Sequence, residues 1–415
     1  MQNKCLIISC MNKPLIIIDD AIPFVRGVFE PYANVCYSKG SEFASCLLPN
    51  DNCGCAGKSS GMFAINSAEI LIVRTRTKCN AALLEGTHVK MIATATIGTD
   101  HIDLNYCKLH GIKVVSAPGC NSGGVMQYVY TALFALAEKY KINLYPNSPL
   151  TIGVIGAGHV GTKVAALGEH LGFRVLRNDP PKELVQEELE KNAAKKSDKV
   201  FEQKARGIVH VEYSSLHYLL KNSDIVTLHV PLDESTREMA NDDFFSKMKR
   251  GSIFFNTCRG EVMSNNALLN ALDINNINGS ERGDGILRAA VIDTWNSEPG
   301  ISIDLLQAAA IATPHIAGYS YEGKVNGTTV AVRKVADFMR IEELKKYTVG
   351  SVKDMQGVRT ENTPRINFAG LNQSEIAEQL LRIFPIWDLD FKLRQHPENF
   401  EKLRSNYEYR REFTY

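Results

Sequence analysis

One stretch constrains this chain more than any other: TIGVIGAGHVGTKVAALGEHLGFRVLRNDP, residues 151–180. A β-branched run enters Gly156-Ala157-Gly158-His159-Val160-Gly161, an apolar-faced helix follows, and a second strand-like run ends at Asp179. Gly156 permits the tight turn, Gly158 lets backbone approach a pyrophosphate, and Gly161 lets the helix pack close to the strand. The free N–H groups and positive dipole end of that helix suit a phosphate group. Asp179 falls where an acidic side chain takes the adenosine ribose hydroxyls. A glycine-rich turn is common as a purely structural device, but such a turn has no need of the helix, strand and acid in this order. Arg177 suits a ribose 2′-phosphate, whereas Asp179 repels one, so the reading is NAD over NADP.

The rest of the chain agrees with a parallel α/β architecture. Strand-like runs recur at 15–19, 69–74, 89–95, 112–117, 150–156, 224–230, 251–257, 289–295 and 309–315, with helical stretches between several of them. The longest helical stretch, 125–142, has apolar residues at helix spacing and is expected to link two domains. Because the fingerprint starts at 151, a strand-rich domain precedes it. The expected arrangement is two Rossmann-like doubly wound parallel-sheet domains with a cleft between them, plus a small C-terminal α+β domain. Residues 1–120, completed by about 316–345, form the first, 121–315 the dinucleotide domain, and 346–415 the third. Segments 38–62, 182–207 and 273–288 read as inserted loops, the second with an exposed helix.

Composition removes several function classes. The 415 residues carry 47 Lys+Arg against 46 Asp+Glu, which gives no global electrostatic case for nucleic acid or an anionic membrane. No apolar run approaches the ~20 residues of a membrane span, and the short N-terminal apolar run lacks a signal-peptide cleavage site. Ten cysteines in a chain this long make no disulfide scaffold. Cys53 and Cys55 have no partnering CxxC or close His to complete a metal site, so no metal is expected and the thiols read as reduced, in a cytoplasmic protein.

Three polar residues stand at or just after strand-like runs, where ligands collect in such sheets: Arg259 in NTCRGEV, Glu298 in DTWNSEP and His315 in TPHIAGYS. Singly, each has a plain structural reading as a salt bridge, a turn residue or a packed His. Beside a nicotinamide they make chemical sense together. Oxidising a 2-hydroxy acid needs a base for the hydroxyl proton, a carboxylate to balance the resulting imidazolium, and a guanidinium to grip the substrate carboxylate.

These motifs, following GAGHVG, resemble the D-isomer-specific 2-hydroxyacid dehydrogenases. The resemblance implies Arg259, Glu298 and His315 as the catalytic set. It also implies cofactor contacts at Gly156, Gly158, His159, Val160, Gly161, Asp179, Val230, Thr257, Cys258, Asp293 and Gly318, and substrate contacts at Thr75, Thr96 and Tyr319. Thr75 stands where Ser is common in the family, and Val230 where Thr is common. Gln127 replaces an acidic residue. Within the family, ATATIGTDHID (93–103), APGCNSGGVMQYV (117–129), RNDPP (177–181), TPHIAGYSYEGKVNGTT (313–329) and FEKLRSNYEYRREF (400–413) are most similar to members that oxidise 4-phospho-D-erythronate in pyridoxal phosphate (vitamin B6) synthesis. That implies NAD as acceptor, a phosphorylated hydroxy acid as substrate, and a homodimer built by 346–415. Arg74 and Arg76 are candidates for the substrate phosphate, with Arg404, Arg410 and Arg411 a weaker set. Two rivals keep the fold: another dehydrogenase of the family, such as one acting on 3-phosphoglycerate or glyoxylate, and a non-catalytic NAD-sensing protein.

Overall fold

The structure, a computed structural model, describes residues 13–45, 64–145, 148–195, 211–272, 285–350 and 363–415, of which 45, 64 and 189–195 as backbone only. Cys53, Cys55, the residues before 13 and most of the three expected inserts lie outside the described residues. Strands run β1 (Leu15–Asp19), β2 (Asn34–Ser38), β3 (Ala68–Val73), β4 (Met91–Thr94), β5 (Lys113–Val115), β6 (Thr151–Ile155), β7 (Arg174–Asn178), β8 (Ile225–Leu228), β9 (Ser252–Asn256), β10 (Leu287–Ile292) and β11 (Ile311–Ala312). The helices used below are α1 (Ser122–Tyr140), α2 (His159–His170), α3 (Tyr321–Met339), α4 (Gln373–Ile383), α5 (Ile386–Gln395) and α6 (Phe400–Ser405).

Two wholly parallel sheets result, ordered β2-β1-β3-β4-β5 and β11-β10-β9-β8-β6-β7. Parallel sheets are covered on both faces, which is why β1 (LIIID) and β9 (SIFFN) are buried along their whole length and read as continuous apolar runs. All nine strand-like runs of the sequence become strands. β2 adds to them: in NVCYS only Cys36 is buried, because the strand sits at a sheet edge and needs no apolar run.

The chain forms two compact units, Met1–Asn121 with Ser320–Asn362, and Ser122–Tyr319 with Thr363–Tyr415. In the first, α3 lays Val332, Val335 and Ala336 against Ile16, Ile18 and Met91. In the second, α1 is buried from Ser122 through Ala137, apolar on every side, and packs against both α2 and α4. Residues 363–415 therefore belong to the second unit, where sequence reasoning sets 346–415 apart. The reason is their own apolar face: Ile376, Leu380 and Phe384 join Tyr128, Leu133 and Phe134 in one core. A capping box at Asn372 and Glu375 starts α4. Among the described residues no helix is long and apolar enough to cross a membrane, and Cys36, Cys79, Cys107, Cys120 and Cys258 are free thiols.

Candidate active site

In the second sheet the chain passes from β6 out to β7 and then resumes on the other side of β6 at β8, so the strand order reverses at the end of β6. Such a reversal opens a crevice at the carboxyl ends of the strands. Gly156 sits there at φ +87°, and a side chain on it would strike the His229 carbonyl. A Cβ on Gly161 would run into the Gly156 carbonyl oxygen, so that glycine is required by the packing of helix on turn. Gly158 differs from both. No atom lies within 4 Å of where its Cβ would stand, so its bare backbone faces open space at the start of α2. The Asp179 carboxylate accepts the Ala157 N–H at 2.8 Å and so holds the turn from the next strand. Arg177, the residue that would favour a 2′-phosphate, is paired with Glu169 at 2.7 Å. Thr257, at the end of β9, keeps a buried hydroxyl with no hydrogen-bond partner among the described residues. An open backbone, an acid beside it and an unused hydroxyl are what a dinucleotide needs from this edge.

The segments after β9, β10 and β11, adjacent in the sheet, carry the three candidate catalytic side chains, Arg259, Glu298 and His315. His315 Nδ1 lies 2.8 and 3.0 Å from the two Glu298 oxygens. Glu298 Oε1 also accepts the Trp295 N–H at 3.0 Å. Burial alone would raise the Glu298 carboxyl; the charge and hydrogen bond of His315, with the Arg404 cation, outweigh it and bring it below the usual range. His315 itself has φ +56°, a left-handed conformation that costs a side-chain-bearing residue energy and persists only when its surroundings impose it.

Asp293 is what imposes it. Fully buried, it accepts hydrogen bonds from the Thr313 hydroxyl (2.6 Å), the Ile316 N–H (2.8 Å) and the Ala317 N–H (2.9 Å), while its backbone carbonyl takes the His315 N–H (2.8 Å). Trp295 Nε1 and the Tyr128 hydroxyl hold Thr313 from two further directions. The loop bearing His315 is thus fixed on both sides. Arg259, half-buried at the end of β9, donates to the Cys258 carbonyl at 2.7 Å. Burial pushes the Cys258 thiol up to about 11, so it stays protonated at neutral pH.

Comparison with known proteins gives the family. The family model described as D-isomer specific 2-hydroxyacid dehydrogenase, NAD binding domain, matches residues 134–317. Erythronate-4-phosphate dehydrogenase of Bacteroides thetaiotaomicron is 38% identical over 403 residues, covering 96% of this chain and 97% of the relative. The Escherichia coli protein of the same name is 31% identical over 406 residues, covering 96% and 92%. The chain belongs to the erythronate-4-phosphate dehydrogenases of the D-isomer specific 2-hydroxyacid dehydrogenase family. Solved structures of similar fold include D-lactate dehydrogenase from Aquifex aeolicus complexed with NAD and lactic acid (TM-score 0.53, 24% identity, 81% of this chain and 99% of that one). Another is NAD+-bound 3-phosphoglycerate dehydrogenase from Entamoeba histolytica (TM-score 0.56, 20% identity, 81% and 99%). The chain is an NAD-dependent oxidoreductase.

Within this dehydrogenase, the terminal segment holds residues whose roles sequence reasoning missed. Arg410 is buried, and its guanidinium donates to the carbonyls of Gly124, Ile316, Ala317 and Tyr319 and to Gln127 Oε1. Gln127 in turn donates to the Arg411 carbonyl at 3.1 Å, so the amide that replaces an acid serves as both acceptor and donor to the same segment. Arg410 is therefore occupied as a brace for the loop after His315. Arg404 is equally committed, to Glu298 and Tyr319.

The remaining substrate candidates lie in the first unit. Arg74, at the end of β3, pairs with the fully buried Asp19 of β1 at 3.0 Å. Thr75 and Arg76 are exposed, and the Thr96 hydroxyl meets that of Thr94 at 2.7 Å. The structure thus leaves Arg76 as the more accessible of the two arginines.

Proposed function

We propose that this enzyme oxidises 4-phospho-D-erythronate at C2 to 2-oxo-3-hydroxy-4-phosphobutanoate with reduction of NAD, a step of pyridoxal phosphate synthesis. The observation that carries the reading is the His315–Glu298 pair at the edge of an NAD-binding sheet, in a chain alike over nearly its full length to relatives named for this substrate. Gly156, Gly158, His159, Val160 and Gly161 would cradle the pyrophosphate, Asp179 the adenosine ribose, and Val230, Thr257, Cys258, Asp293 and Gly318 the remainder of the dinucleotide. Bound there, the nicotinamide supplies the hydride acceptor.

The chain's own residues do the rest. His315 Nε2, opposite the nitrogen held by Glu298, takes the C2 hydroxyl proton as the hydride departs. Glu298 stays ionised and balances the imidazolium. Arg259 grips the substrate carboxylate and polarises the forming carbonyl. Thr75, Thr96 and Tyr319 contact the substrate, and Arg74 and Arg76 serve its phosphate, Arg76 being the more exposed of the two. We further read the protein as cytoplasmic and homodimeric through residues 346–415.

The test is NADH formation on 4-phospho-D-erythronate, with 3-phosphoglycerate and unphosphorylated erythronate alongside and a 2-oxo acid present so that a single trapped turnover is not missed. Selective turnover of the phosphorylated four-carbon acid supports the reading. Activity on 3-phosphoglycerate alone moves the enzyme to a neighbouring specificity, and NAD binding with no turnover of any acid overturns it.

A further inference from the structure

The His315–Glu298 pair is not closed by its two members, because a third side chain completes it. Arg404, on the last turn of α6, is only 12% exposed. Its Nη1 lies 3.3 Å from Glu298 Oε2, and its Nε lies 3.2 Å from the Tyr319 hydroxyl. The guanidinium carbon stands 5.9 Å from the centre of the Tyr319 ring, within reach of its π-face. The two contacts use different edges of one rigid plane. That plane therefore fixes the separation between a carboxylate and a phenol, which a flexible ammonium cannot do.

We propose that Arg404 is a positioning residue of the reaction, coupling the carboxylate that balances the His315 proton to the Tyr319 hydroxyl that faces substrate. The assignment of Tyr319 to substrate rests on the proposed function; the tie between Arg404 and Glu298 does not. Several charged groups surround the pair. Glu298 meets His315 and Arg404, Asp293 stands buried behind His315, and Arg404 also approaches Glu401, 42% exposed, at 3.7 Å. Arg404 is the cation of that group, so it opposes uptake of a proton by the pair. Burial works against the Arg404 charge, but Tyr319 and Glu298 outweigh it and hold the guanidinium above its usual range. Without that cation the pair gains its first proton more easily. The pH at which the pair protonates therefore rises, and the acid limb of oxidation moves to higher pH.

Arg404 is also a candidate anchor for the substrate phosphate, and one experiment separates the two roles. Full-length R404Q and R404K proteins are compared with the parent in the NADH complex. The His315 imidazole is followed by 15N NMR titration and identified by the loss of its signal in H315Q. For R404Q the titration of the pair moves up by about one pH unit or more, the range expected on removing an opposite charge at 4–6 Å. Turnover on the acid limb then falls about tenfold for each pH unit by which the limb moves. R404K keeps the charge without the planar fork: its titration stays near the parent's while kcat falls. If R404Q does not fold, this split in R404K decides. An unchanged titration in R404Q, or a loss confined to KM for phosphorylated substrates, overturns the proposal. Absence of turnover on 4-phospho-D-erythronate in the parent would refute the proposed substrate, and the titration would still decide Arg404.

Discussion

Each sheet carries a buried aspartate at the end of one strand, Asp19 on β1 and Asp293 just after β10, but the two are treated differently. In the second unit, Asp293 has each carboxylate oxygen occupied by donors from the loop that bears His315. In the first, Asp19 pairs through Oδ1 with Arg74, while its Oδ2, Arg74 Nε and the Thr77 hydroxyl are buried without a hydrogen-bond partner among the described residues. Gly40 packs its bare Cα against that group; a Cβ there would run into the Thr77 oxygen and lie 2.8 Å from Asp19 Oδ2. A satisfied carboxylate makes a rigid support for the loop that bears His315. Unsatisfied buried polar atoms carry a cost, on the order of 1–3 kcal/mol each, so the group around Asp19 is less stabilised than the one around Asp293.

That contrast can be broken at four places. The largest effect belongs to His315→Ala, which is expected to lower kcat by about 10²- to 10⁴-fold, the usual worth of a general base, with NADH binding retained in a fluorescence titration. Near-normal turnover would remove His315 from the mechanism. Arg410→Ala comes next. It strands the carbonyls of Gly124, Ile316, Ala317 and Tyr319 in a buried site, and denaturant unfolding should register a loss of about 1–3 kcal/mol for each carbonyl that stays unsatisfied. Asp19→Asn keeps the shape and discards the charge that Arg74 faces; a loss of about 1–3 kcal/mol is expected, with NADH affinity unchanged because the cofactor sheet is untouched. Weaker NADH binding in that variant would show that the two units depend on one another. The smallest effect is Gly158→Ala: the space is open and φ is −70°, so stability should hold within about 0.5 kcal/mol. NADH affinity should still fall roughly tenfold, the worth of a charge-assisted hydrogen bond to backbone.

The same contrast explains what was legible in the sequence. Gly156, Gly158, Gly161 and Asp179 were readable because each serves a local turn whose members lie within one βαβ unit. Buried parallel strands were readable because both faces demand apolar residues. β2 was not, since one buried cysteine among polar neighbours carries no pattern. His315 and Glu298 were identified by motif, and the structure adds the contact between them. The roles of Arg404, Arg410 and Gln127 were hidden for a different reason. Their partners lie on distant parts of the chain, and a sequence shows that an arginine is charged without showing which carbonyls will surround it. The apolar face of 376–384 was visible, but not that it would seal the core of the cofactor unit.

The open side of the cofactor sheet also governs how the protein behaves in a crowded solution. β11, the short edge strand leading into the loop that bears His315, does not offer its Ala312 N–H to an incoming chain; Asp390 of α5 accepts it at 2.7 Å. Arg394 locks Asp390 in place and donates to the Leu306 and Ala309 carbonyls beside the same edge. A sheet edge blunted by a side chain cannot template strand addition, and so is guarded against edge-to-edge aggregation. Loss of Asp390 would therefore show itself first as turbidity on concentrating the protein, before any change in its chemistry.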